Sequence, residues 1–371
     1  MELEVQKYLR SGRTPEALKE EYGIDFRRHN RYPKLVTFKY DQVDSHHHRA
    51  QKIVRECRGL ILCEKFHWKI AAYPFERFFN FGDGFADEID WDTACVQEKL
   101  DGSLMILYHH RNEWHVASSG TPDAGGNVGI DETVTFKDLF WNTFGEQVGW
   151  QMLSRMLARL PEDITFMFEL CTAQNRIVVR HMEPKVVLLG ARNRLTGHEY
   201  RPGEMIHLFP NTDIPKVYPV GSPKEATELL SEMKGEEQEG FVVVDTNFNR
   251  IKMKCPNYVA LHHLADNLLS MRLIMQNVVL KEETAEVAAV FPEYEELLWE
   301  ADRRYHELLD ELNDLYESCK DIEDQKEFAL KVKDCRCSGA LFAFRAGKVP
   351  SIKVFINNWH IQNLLKALGY K

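Results

Sequence analysis

The segment Glu98-Lys99-Leu100-Asp101-Gly102-Ser103-Leu104 sets a lysine beside a carboxylate and a turn glycine, between a polar loop and a strand-forming run. An amine held in this way is a candidate covalent nucleophile once its neutral form is favoured. Taken alone, the pattern favours a solvated lysine ahead of a hairpin turn. Four further segments share its character: Arg55-Glu56-Cys57-Arg58-Gly59-Leu60, Phe168-Glu169-Leu170, Glu239-Gly240-Phe241-Val242-Val243 and Lys252-Met253-Lys254. Each puts charge into an apolar run, where it is costly unless it faces a polar cleft or a partner. Five charged strand ends therefore imply one shared cleft. Lys252 and Lys254 lie two apart on a strand, so their side chains share a face.

The elements that position these groups follow from the pattern around them. From about residue 34 to 255, short runs of Val, Ile, Phe and Leu alternate with Gly, Asn, Asp and Pro, the signature of a largely antiparallel, strand-rich domain. Strands are expected at RGLILCE, SLMILYHH, WHVASS, ITFMFELC, RIVVRH (176–181), KVVLLGAR, EGFVVVD and IKMK, with helices over 136–160 and 223–234. Ser222-Pro223 marks the start of the latter. After Pro256 the period becomes 3.6, with Leu297, Ala301, Tyr305, Leu308, Leu312 and Leu315 on one stripe, and a last helix runs from Ile352 to Leu368. The fold class is thus α+β, residues 1–255, followed by an all-α domain, residues 256–371.

The chain has 371 residues, 44% hydrophobic and 28% charged, enough for a sizeable core and two or three domains. Its 57 acidic and 47 basic side chains leave a net charge of -10. That excludes a generally cationic nucleic-acid coat and a polybasic membrane surface, while allowing a local groove. Residues 281–333 hold 17 acidic and 7 basic side chains, so the remainder is balanced. No apolar run reaches the roughly 18 residues of a membrane span, and the N-terminus lacks a secretory pattern, so an intracellular, cytoplasmic place is expected, or the host cytoplasm for a viral protein. Eight scattered cysteines without a C-x-x-C pair suggest reduced thiols, Cys335 and Cys337 included. His46-His47-His48, His109-His110 and His262-His263 lack the i, i+4 spacing of a helical zinc site and read as solvated.

In order and composition the charged segments resemble the covalent nucleotidyltransferases, whose motifs are K-x-D-G, a strand acid, E-G and K-x-K. Cys57-Arg58-Gly59-Leu60, Phe75-Glu76-Arg77-Phe78-Phe79-Asn80, Lys99 to Leu104, Phe168-Glu169 with Asn175-Arg176-Ile177-Val178, Glu239 to Val242 and Lys252 to Leu261 are together similar to the phage-type ATP-dependent RNA ligases. The likeness covers residues 50–262. It implies an antiparallel-sheet nucleotidyltransferase domain of ATP-grasp-like ligase fold and a helical domain that selects RNA. It also implies a monomer that joins 5'-phosphate and 3'-hydroxyl RNA ends through lysyl-AMP and an adenylylated RNA end, in RNA or tRNA repair. A DNA ligase or capping guanylyltransferase would usually carry short strands of an OB-fold where this chain carries amphipathic helices. A non-catalytic RNA-binding scaffold would need neither Lys99 nor Glu239.

The resemblance also assigns roles. Lys99 would carry AMP. Lowering a lysine pKa from about 10.4 to about 7.4 takes roughly 4 kcal/mol, about what one cation at 4 Å supplies at an effective dielectric near 20. Lys252, Lys254 or a magnesium ion, for which Mn2+ could substitute, would each suffice, and the Lys252–Lys254 face would be the phosphate side. Glu239 is the first candidate to hold the metal through its waters and Asp101 the second. Glu169 would accept hydrogen bonds from the ribose of ATP, or pair with Arg176. Arg58 would meet ribose or the terminal RNA phosphate, Arg77 a phosphate, and Glu98 and Gly102 would flank the nucleotide. Phe79 and Val242 would sandwich adenine, with core packing fitting both equally. Two departures stand out: Arg77 replaces a usual lysine, and Ser118-Ser119-Gly120 contains no cation where lysine is common.

Overall fold

The computed structural model describes residues 1–371 apart from 42–43, 129–130, 236, 260–269, 292–293 and 371. The chain divides into two compact units, Met1–Val259 and Ala260–Lys371. The first extends past residue 255 because a helical turn at 256–259 brings Tyr258 into its core, where the hydroxyl donates to Asp101 Oδ1 at 3.1 Å.

Two five-stranded sheets carry the charged strand ends other than that of Arg58. One runs Val217–Tyr218, Cys95–Lys99, Gly240–Val244, Arg250–Lys254, Phe79–Asn80, antiparallel except for the last pair. The other runs Glu199–Tyr200, Lys185–Asn193, Ile164–Cys171, Ser103–His110, Glu113–Ser118, antiparallel throughout. A four-stranded sheet of Ile24–Arg28, Leu35–Tyr40, Arg58–Cys63 and Lys69–Ala72 completes the frame. Ile164–Cys171 is apolar on both faces because both are covered. Phe166 and Phe168 pack against Phe209 at 4.9 and 5.2 Å, and Phe168 also meets Phe144 of the Phe136–Val148 helix at 5.5 Å. Only Glu169 on this strand is not fully buried.

Three expectations need correction. The run 176–181 is not a strand but a bent loop, because the amides of Val178 and Val179 both donate to Asp101 Oδ2 at 2.7 Å and are withdrawn from any ladder. The helix expected over 136–160 is two, Phe136–Val148 and Trp150–Leu157, separated at Gly149. The C-terminal helix is also two, Ile352–Asn357 and Ile361–Ala367.

Regular structure in the second unit is helical among the described residues. Its longest helix, Glu295–Cys319, buries Leu298, Ala301, Tyr305, Leu308 and Leu312, while Leu297 and Leu315 are only partly covered. Residues 262–263 lie outside the described residues. No described helix is long and apolar enough to cross a membrane.

Candidate active site

Cross-strand register assembles the site. Gly240 lies opposite Lys99 on one side and Lys254 on the other, and Val242 lies opposite Gln97 and Lys252. Directly paired residues share a sheet face. Lys99, Lys254 and Lys252 therefore rise from one surface, with the side-chain-free Gly240 between the first two. A Cβ on Gly240 would stand 2.1 Å from Met253 O, and its φ of +148° suits glycine.

Glu239, 5% exposed, enters this row from the strand start. Lys99 Nζ donates to Glu239 Oε2 at 2.6 Å, and Lys254 Nζ pairs with Oε1 at 3.0 Å. One carboxylate thus bridges two ammoniums. Lys252 has no carboxylate within ion-pair distance among the described residues. Its pKa is lowered to about 8, by burial first and then by the like charges of Lys99, Arg58 and Lys254.

The second five-stranded sheet and the Arg58 strand form the other walls. Glu169 faces the cleft beside Leu104 and Leu189. Leu189 is the extra residue of a bulge, since Met167 pairs with Gly190 and Phe168 with Leu188. Burial raises the Glu169 pKa to about 8, with Glu239 and Asp101 adding to the rise and Lys99 and Arg58 opposing it. At neutral pH this carboxyl is largely protonated and can donate as well as accept. Arg176, its alternative partner, donates Nε to Val178 O at 2.8 Å. The Arg58 guanidinium stacks on Phe78 at 4.9 Å and keeps a buried Nη1 without a hydrogen-bond partner among the described residues. Burial disfavours its charge, so an anion in the cleft would relieve it.

Of the expected site residues, Lys99, Glu98, Arg58, Glu169, Glu239, Val242, Lys252 and Lys254 line this cleft. Four do not. Asp101 is 1% exposed, with Oδ2 taken by the two amides and Oδ1 by Tyr258. It fixes the turn after Lys99, and a hard cation would have to displace those donors. Gly102 packs its α-carbon against Leu170, whose carbonyl oxygen would stand 2.4 Å from an added Cβ, so it too shapes the turn. Phe79 pairs with Ile251, the neighbour of Lys252 on the opposite face, and is buried there. Arg77 lies in an adjoining hollow, its guanidinium 4.1 Å from the Tyr40 ring and 5.3 Å from Phe79, with Nη1 donating to Ser45 Oγ. Glu98 alternates away from Lys99 and pairs with Phe241 on the other face, so its backbone contributes more directly than its carboxylate.

Tyr40, Phe75, Phe78 and Arg250 are additional lining residues. Arg250 was legible in principle, since Arg250, Lys252 and Lys254 alternate along one strand. It stacks on Phe75 at 4.4 Å and joins Arg192 on Glu199. A cation also reaches the segment 118–120 from elsewhere: Lys39 Nζ lies 3.9 Å from where a Cβ on Gly120 would sit.

The donor set suits a hard, hydrated cation held by one or two carboxylates together with substrate phosphates, and Glu239 is the cleft carboxylate that would hold it. No cluster of three or more metal-ligating side chains occurs among the described residues. The His46–His48 turn and the cysteines, all free thiols, form no such site.

Residues 56–258 match the family model described as RNA ligase. The RNA ligase of Rhodothermus phage RM378 is 25% identical over 383 residues, 83% of this chain and 84% of that protein. A protein of Autographa californica nuclear polyhedrosis virus, described as a putative bifunctional polynucleotide kinase/RNA ligase, is 31% identical over 66% of this chain, which spans 36% of that protein's length. Among solved structures, a putative ATP-dependent DNA ligase from Aquifex aeolicus shares 14% identity and a TM-score of 0.44 over 83% of this chain and 79% of that one. A Naegleria gruberi RNA ligase mutant with ATP and Mn shares 15% identity and a TM-score of 0.35, covering 46% and 52% of the two chains.

Proposed function

The chain belongs to the RNA ligase family that its residues 56–258 match, and we propose that its first unit uses ATP to join RNA 5'-phosphate and 3'-hydroxyl ends by way of a lysyl-AMP intermediate. The observation that carries this reading is the convergence of Lys99, Glu239, Lys254 and Lys252, the last without an ion pair among the described residues, on one face of one cleft.

In this reading neutral Lys99 Nζ attacks the α-phosphorus of ATP. A P–N bond forms, the bond to the bridging oxygen breaks, and pyrophosphate leaves. The amine's proton passes to solvent or to Glu239, its hydrogen-bond partner. The RNA 5'-phosphate then displaces Lys99 to give an adenylylated end, and the 3'-hydroxyl displaces AMP. Lys252 and Lys254 balance the phosphate charge, the main electrostatic demand of such a transfer. Arg58 offers its vacant Nη1 to a phosphate or ribose oxygen, and Glu169 orients ribose hydroxyls. Val242 packs against adenine, with Phe75 and Phe78 as the aromatic wall where Phe79 was expected. A bound magnesium or manganese ion, held by Glu239, would supply further neutralisation of phosphate charge. The helical unit would select the RNA, with tRNA repair as one setting.

Incubation with α-labelled ATP and magnesium followed by a denaturing gel tests the reading. An acid-labile adduct is expected from the wild-type chain and none from Lys99→Ala. A wild-type chain that stays unlabelled refutes it, and a label from GTP alone reassigns it to capping.

A further inference from the structure

We propose that Phe81 and Phe85, just beyond the cleft edge, form a stacking platform for bases of the single-stranded RNA end being joined. The inference rests on reading the cleft as an RNA-joining site.

Phe81 and Phe85 are 48% and 44% exposed, within five residues of each other. Phe81 is tied to the catalytic strand: its amide donates to Lys252 O at 2.9 Å, and its neighbour Asn80 pairs with Lys252. Its backbone thus lies about one strand spacing, roughly 4.8 Å, from that of Lys252. Among the described residues, the Phe81 ring meets no other aromatic ring and no cation. The Phe85 ring is held from behind by Phe79, at 6.1 Å, and by the Arg49 guanidinium at 4.7 Å.

The charges around the rings select the occupant. Arg49 bonds His46 through Nη1 and leaves Nε buried without a partner among the described residues, and the Arg77 guanidinium lies 5.3 Å from the Phe79 ring. Neither has a carboxylate in ion-pair distance among the described residues. Of the nearby acids, Asp87 is paired with Arg55 at 2.9 Å, Asp83 accepts the Phe85 amide and keeps its charge near Arg77, and Glu88 and Asp90 are exposed further along the segment. Flat rings interleaved with available guanidiniums match a nucleic-acid single strand, whose bases stack while its phosphates meet the cations, and the bond from the Phe81 amide to Lys252 O ties them to the edge of the lysine strand.

The test is fluorescence anisotropy with the full chain and a 5'-phosphorylated, 3'-labelled oligoribonucleotide, either intact or abasic at its two 5'-terminal nucleotides. Stacking on a ring is worth about 1–3 kcal/mol per base, or about 5- to 150-fold in affinity. Phe81→Leu, which keeps an apolar side chain without the π-face, is expected to weaken the intact oligonucleotide by that factor and leave the abasic one unchanged. Phe81→Trp is expected to restore binding, and Phe85→Leu to act as Phe81→Leu does. The proposal is overturned if Phe81→Leu binds the intact strand as wild type does, if both strands weaken equally, or if the wild-type chain does not distinguish them. ATP labelling of the wild-type chain reports separately on the cleft: if it fails while the anisotropy result holds, the reading of Lys99 falls and the platform stands.

Discussion

Lys252 makes the sharpest prediction because its ammonium is held near its titration point by burial and three like charges. A polyphosphate beside it removes the reason for that depression. With a free-state pKa of about 8, about half of the Lys252 side chains lack a proton at pH 8 and about a tenth at pH 7. If binding returns the group to its ordinary value, the complex should take up about 0.5 proton at pH 8 and about 0.1 at pH 7. The assay is titration calorimetry with α,β-methylene ATP, which cannot react at the α-phosphorus, in buffers of different ionisation enthalpy. Subtracting the Lys252→Met result at each pH cancels the ligand's own protons. A difference that does not grow from pH 7 to pH 8 would refute the claim that Lys252 is the titrating contact.

Other outcomes follow from the same geometry. Glu169 has a folded pKa of about 8 against 4.5 when free, so the folded state holds the extra proton, and stability from this group is full below pH 4.5 and lost as pH rises to 8. Glu169→Gln should therefore raise the melting temperature at pH 8.5 and leave it little changed near pH 4.5, and equal shifts at both would contradict this. Glu199, 5% exposed, holds Arg192 and Arg250 behind Phe75 and Phe78. Breaking such a buried network costs about 3–5 kcal/mol, so Glu199→Gln should lower the melting temperature by roughly 6–20 °C at about 2–4 °C per kcal/mol; a shift under about 2 °C would show that the network is not stabilising. Gly240→Ala should abolish labelling by ATP, because its Cβ meets Met253 O; normal labelling would show that the strand pair yields at no cost to the site.

Much of this site can be read from sequence because strand alternation converts spacing into direction. Lys252 and Lys254 share a face for that reason, and the charged start at Glu239 needed only pairing to meet Lys99. What could not be read depends on contacts distant in sequence. Asp101 looks like a metal ligand beside Lys99, yet amides 77 and 78 residues away occupy it. The same contact makes Ile177-Val178-Val179, an apolar β-branched run, into a loop. Phe75, Phe78 and Phe79 are indistinguishable by type, and only the parallel pairing with Arg250–Lys254 turns Phe79 from the cleft. Helix breaks at Gly149 and after Asn357 override a continuous period by local backbone preference.

The bridge of Glu239 between Lys99 and Lys254 has a consequence for selectivity. At rest one carboxylate is shared by two ammoniums, so the row keeps a surplus of positive charge while each of these three groups still has a partner to give up. A bare polyanion would strand the carboxylate against negative oxygens, and a bare cation would confront several positive groups. In the proposed reaction a ligand carrying both signs, such as a nucleotide with its counter-ion, would give the ammoniums and the carboxylate new partners together and so free the amine.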